Sequence, residues 1–138
     1  MRETDAIQYI PQGPPFVMID EVTKADETIS QTSFTIREGH LFVKDGRFTE
    51  PGLVENIAQT AAAGTGYKAR KSGSAPQVGY IGALKNLIIN ELPKTGDTIN
   101  TEVHFLNQVL NVHIVQGRVF KEGREIASCE LKIFLQQQ

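Results

Sequence analysis

Cys129 is the only cysteine in this chain, which excludes an internal disulfide and any cysteine-built zinc site. Positive charge is not in excess either. Fourteen Lys and Arg stand against sixteen Asp and Glu, for a net charge of −2, so the basic surplus that a nucleic-acid surface requires is missing. No apolar run approaches the roughly 20 residues that cross a bilayer. The opening Met1-Arg2-Glu3-Thr4-Asp5 lacks the apolar core of a signal peptide, and the expected location is the cytoplasm. What is present is an ordinary globular balance: 138 residues, 40% hydrophobic and 22% charged. That is enough to build a core without metal or disulfide support, and one domain is expected over residues 1–138.

Pattern divides the chain into three stretches. Asp5 to Ile10 allows a helical turn that Pro11 stops. Pro14 and Pro15 then impose extended backbone on Phe16-Val17-Met18-Ile19, and strand character is expected there and on through Val22. From Thr28 to Ile36, Ser30, Thr32, Phe34 and Ile36 alternate with the residues between them, as on a strand. Asp45-Gly46 is a turn dipeptide. The middle stretch is different. Thr49 is a plausible N-cap, Pro51 is tolerated in a first turn, and helix formers run to Ser72 before Gly73. Apolar and small residues lie all round this predicted helix, which is the signature of a helix enclosed on most sides. After Pro76 the chain reads as strands to its end. Ile99, Thr101, Val103 and Phe105 share one face, as do Ala127, Cys129, Leu131, Ile133 and Leu135. Turns fall at Lys94 to Asp97 and Lys121 to Gly123. One long helix among roughly six strands predicts an α+β fold with the helix on one face of an antiparallel sheet.

Two residues stand out chemically. Glu55 lies near the start of the predicted buried helix, with Gln59 one turn further along the same stripe. Burial raises a carboxyl pKa, and a carboxyl held partly neutral near pH 7 suits a general acid. An equally good reading of the bare sequence has Glu55 pairing with a neighbouring strand or sitting in the positive field of the helix start. His40, in Arg37-Glu38-Gly39-His40-Leu41, is the histidine outside a patterned strand, and imidazole is the side chain best suited to move a proton near neutral pH. A lone loop histidine is more often a solvated polar residue. His104 and His113 fall on strands, with His104 expected to be exposed beside Glu102. Cys129 belongs to an apolar face and reads as core. Gly64 and Gly66 lie inside the helix and make no phosphate-cradling loop.

Taken in order, several segments resemble the hot-dog 3-hydroxyacyl-(acyl carrier protein) dehydratases. Pro14 to Val22 is similar to that family's opening strand, and Gly39-His40-Leu41 to its Gly-His-Phe element. Glu55-Asn56-Ile57-Ala58-Gln59 resembles its Glu-x-x-Ala-Gln on the central helix. Gly82 to Lys85 and Leu92 to Asp97 are similar to the strand and the Pro-x-x-Gly-Asp turn that follow. The resemblance implies a hot-dog fold, a long central helix wrapped by a curved antiparallel sheet. It also implies dimers in which the histidine of one chain faces the acid of the other. In that scheme His40 is the base, Glu55 the acid, and Gly52 and Gln59 contact substrate. The phosphopantetheine arm belongs to the substrate, so no cofactor and no metal is called for. The implied partners are an acyl carrier protein or coenzyme A thioester and a second hot-dog chain, the same or different.

Departures from the family pattern cluster around the histidine. His40 and Glu55 are 15 positions apart (55 − 40), one more than in the family. Leu41 to Phe48 replaces its proline-rich stretch, and Pro51-Gly52 lies two residues closer to the acid, so that Glu50 aligns where the family has its glycine. These features are similar to a divergent branch, such as the dehydratase-like proteins of aryl-polyene and related pigment pathways. Two other readings stay open: an acyl thioesterase that uses the helix carboxylate to activate water, and a non-catalytic partner of an active dehydratase.

Overall fold

The computed structural model describes residues 2–74 and 79–136. After a short 3-10 helix, Ala6–Tyr9, come strands β1 (Glu21–Ala25) and β2 (Ile29–Thr35). A two-stranded ribbon follows, β3 (Val43–Lys44) with β4 (Arg47–Phe48), and then helix α1 (Glu50–Lys71). The chain finishes with β5 (Gly79–Ile89), β6 (Thr98–Val109), β7 (Val112–Lys121) and β8 (Arg124–Leu135). Six strands make one sheet in the order β1-β2-β6-β7-β8-β5, every neighbouring pair antiparallel. The helix lies against the concave face of this sheet, as in the hot-dog fold.

The expected alternations set this register. Ser30, Thr32 and Phe34 of β2 are buried, as are Ile99, Thr101 and Val103 of β6. Ala127, Cys129, Leu131 and Ile133 of β8 point the same way and meet Leu53, Ile57 and Ala61 of the helix in one core. Tight turns occur at Asp45-Gly46 and Glu122-Gly123, with positive φ at all four residues. A second, smaller core closes the other flank of α1, where Ala6, Tyr9, Ile10, Ile19 and Val22 pack on Ala63. Two cores on two flanks explain why the helix carries no clear polar face. The approach is closest at Gly66, where an added Cβ would lie 1.9 Å from the carbonyl oxygen of Tyr9. Only hydrogen at that position lets the N-terminal segment cross the helix.

The sequence reading needs correcting in one stretch. Residues 16–20 belong to no strand, and β1 begins at Glu21. Helix side chains take up much of the backbone hydrogen bonding there. Gln59 accepts the Met18 N–H at 2.7 Å and donates to the Phe16 carbonyl at 2.7 Å. Asn56 donates to the Met18 carbonyl at 2.8 Å and accepts from the Thr101 hydroxyl. Both amides are buried, so their polar groups had to find partners inside the protein. Thr49 stands at the N-cap position, but its hydroxyl donates to the Phe42 carbonyl at 2.8 Å and makes no cap hydrogen bond.

At the far edge of the sheet, β5 pairs with β8 along one side only. Its apolar side chains stay open: Tyr80 is 58% exposed, Leu84 43% and Ile88 53%. A long, largely apolar edge of this kind is a template for pairing with another chain.

Candidate functional site

Glu55 projects from the second turn of α1 into the wall of a cavity of about 290 Å³. Ala58, Ala62 and Thr65 continue its stripe along the helix, while Ile81, Phe105, His113, Ile133 and Leu135 close the space from the sheet. The space exists because this stripe is made of small residues, which leave a gap between helix and sheet. Burial holds the Glu55 carboxyl above the ordinary glutamate range, and a weak hydrogen bond from Gln59 at 3.4 Å partly offsets this. Among the described residues no basic side chain contributes to its titration. A half-buried carboxyl without a cation, in an apolar wall, holds its proton to higher pH than a solvated glutamate does.

His40 is in a different place. It follows Gly39, whose φ is +80°, and lines a hollow of about 450 Å³ together with Pro14, Pro15, Val17, Asp20 and Arg37. Phe34 and Phe48 flank its ring edge-on at 5.6 and 5.7 Å. Both ring nitrogens are engaged. The Phe42 N–H donates to Nδ1 at 3.1 Å, so the ring proton sits on Nε2, which lies 3.1 Å from the Val17 carbonyl and donates to it. Within one chain, then, His40 and Glu55 line separate cavities and are not brought together.

The two other expected substrate contacts line neither of these cavities. The Gln59 amide is taken up by backbone at Phe16 and Met18. Gly52 is buried at the start of α1, where a Cβ would sit 2.7 Å from the Phe48 ring and 3.0 Å from Phe42 Cβ. Its absence of side chain lets the loop that carries His40 pack on the helix. Conversely, His113 read as an unremarkable strand residue and turns out to face the Glu55 cavity. The signal was available in its parity, since His113 alternates in step with Val115, Gly117 and Val119, all of which are buried. His104, as expected, lies half-exposed on the outer face, paired with Glu102. Among the described residues no group of His, Cys, Asp and Glu could hold a metal ion, and no helix is long and apolar enough to cross a membrane.

Comparison with known proteins agrees with this architecture. The 3-hydroxyacyl-(acyl-carrier-protein) dehydratase FabZ of Shewanella oneidensis is 26% identical over 143 aligned positions, covering 95% of this chain and 90% of its own. The protein of the same name from Vibrio atlanticus is also 26% identical, covering 96% and 91%. Among solved structures, the dehydratase heterocomplex ApeI:P from Xenorhabdus doucetiae superposes with a TM-score of 0.91 at 17% identity, covering 99% of this chain and 94% of that one. A hypothetical thioesterase protein from Streptococcus pneumoniae, solved with coenzyme A, gives a TM-score of 0.68 at 11% identity, covering 86% and 89%. At such identities the structural likenesses establish the hot-dog fold alone. The family itself rests on a match that runs from residue 4 to residue 138: this chain belongs to the ApeP-like family of dehydratases.

Proposed function

We propose that this protein dehydrates 3-hydroxyacyl thioesters borne on an acyl carrier protein, giving trans-2-enoyl thioesters and water. The observation that carries this reading is the Glu55 carboxyl, its pKa raised by burial in the wall of a largely apolar cavity. Glu55 gives its proton to the departing 3-hydroxyl as the C3–O bond breaks. His40 of a second chain takes the C2 proton, and the electron pair of that C–H bond becomes the C2–C3 double bond. Proton return from imidazolium to carboxylate resets the pair. The open β5 edge supports assembly with a second hot-dog chain, either a copy of this one or a different one. The FabZ relatives support the carrier-protein substrate.

A second reading has one specific observation in its favour. A neutral imidazole has one lone pair and one N–H, and in His40 these are committed to Phe42 and Val17. A base that must receive a proton needs its lone pair directed at substrate. If the ring keeps both bonds in the assembly, the chain serves as the non-catalytic partner of an active hot-dog dehydratase. The heteromeric assembly named for the Xenorhabdus structure supports that alternative.

One assay separates these readings. Purified protein is incubated with a 3-hydroxyacyl carrier-protein thioester, and enoyl absorbance and free thiol are followed together. Enoyl formation without thiol release is the expected result. Thiol release without enoyl product identifies a thioesterase instead. Neither product from this chain alone, with stimulation of a co-purifying dehydratase, establishes the partner reading.

A further inference from the structure

The cavity beside Glu55 is not uniformly apolar. Gln12 lines it, and the side-chain Oε1 of Gln12 is buried without a hydrogen-bond partner among the described residues. His113 faces the same space, its ring edge-on to Phe105 at 5.8 Å. Thr65 completes the group, its hydroxyl donating to the Ala61 carbonyl at 3.2 Å and retaining its acceptor capacity. Thr65 and His113 sit away from the carboxyl. Thr65 is ten residues beyond Glu55 on the helix, roughly 15 Å along its axis. Gly117 of β7 packs on Ile57, and His113, four residues before it, lies roughly 13 Å further toward the same end.

A buried acceptor left unmade is unfavourable, and native interiors rarely contain one. Burial, with Lys68 nearby, also holds the His113 imidazole below its ordinary range, so near pH 7 the ring is neutral and can both donate and accept. The unmatched Gln12 oxygen calls for a donor. A plain alkyl chain has none, and a carboxylate would set acceptor against acceptor. We infer that Gln12, Thr65 and His113 form a recognition site for a hydroxyl carried on the acyl chain, remote from the thioester. This rests on the acyl-thioester reading above and makes these three residues specificity determinants for it.

The test is direct binding, read apart from turnover. Pairs of acyl-pantetheine amides, which cannot be hydrolysed as thioesters are, are matched in length, one plain and one ending in a hydroxyl. Each is titrated calorimetrically into the wild-type protein across a series of lengths. At the best-fitting length the hydroxylated compound should bind on the order of tenfold more tightly. Gln12→Met and His113→Phe should each erase that ratio while leaving the plain compound bound at least as well. His113→Phe keeps the ring packing against Phe105, so it remains informative if the other variant folds poorly. Equal binding of both compounds at every length overturns the inference, as does a preference that survives both substitutions. A protein that shows the ratio yet makes no enoyl product supports the inference while refuting the dehydratase reading. Turnover without the ratio does the reverse, and no binding of either compound overturns both.

Discussion

The Glu55 carboxyl works against the fold that holds it. Unfolded, its carboxyl titrates near the ordinary 4.5, and burial in the native chain raises that value. Between the two values the native state binds the extra proton, so stability falls as pH rises through that window, and the penalty persists above it. Glu55→Gln removes the charge and keeps the shape. The variant should therefore unfold at a higher temperature than wild type at neutral pH, and the two thermal melts should converge toward about pH 4. Over the same substitution enoyl formation should drop by about 10²–10⁴-fold. A variant that loses stability and activity together would point to a structural role for this carboxylate.

Helix α1 was legible in the sequence to within a residue or two at each end. So were β2, β6 and β8, because period-two burial and turn dipeptides are local signals that need no knowledge of the partner strand. The stretch at 16–20 was misjudged as strand for a physical reason. The prolines suggest an extended backbone, but much of its hydrogen bonding comes from the Asn56 and Gln59 side chains, some 40 residues away, and no local pattern reports a side chain standing in for a ladder. The separation of His40 from Glu55 within one chain was implied by the family resemblance and by no local pattern, since it depends on how the loop after β2 folds back on Phe34 and Phe48. Gly66 reads locally as a defect and is nothing of the kind. Helix propensity alone favours Gly66→Ala by about 1 kcal/mol, yet the methyl would meet the Tyr9 carbonyl, which is backbone and cannot rotate away. The substitution should destabilise by about 1–3 kcal/mol, visible as a lowered midpoint in urea unfolding. An unchanged or raised midpoint would mean that the N-terminal segment does not cross the helix there.

At the level of the whole molecule, the sheet ends in an edge that looks unfinished. Ile81 and Leu84 face the helix side of the sheet with little over them, and Tyr80 and Ile88 are open on the other side. Leu84→Lys places a charge in the middle of this edge without touching Glu55 or His40. If β5 is the assembly edge proposed above, light scattering should report a larger species for the wild type and monomer for this variant, and enoyl formation should fall with it, while thermal unfolding stays cooperative. A Leu84→Lys protein of unchanged mass and activity would remove β5 from the assembly. The placement of His40 and Glu55 in separate cavities of one chain has a further consequence, which belongs to genetics as much as to chemistry. If each working site draws its base from one chain and its acid from another, two dead proteins can make a live one. Co-expressed His40→Ala and Glu55→Gln chains, pairing at random, would form mixed dimers about half of the time. Each mixed dimer would hold one intact site and one doubly defective site, so the mixture should recover about a quarter of the wild-type rate. Sites confined to single chains would recover nothing.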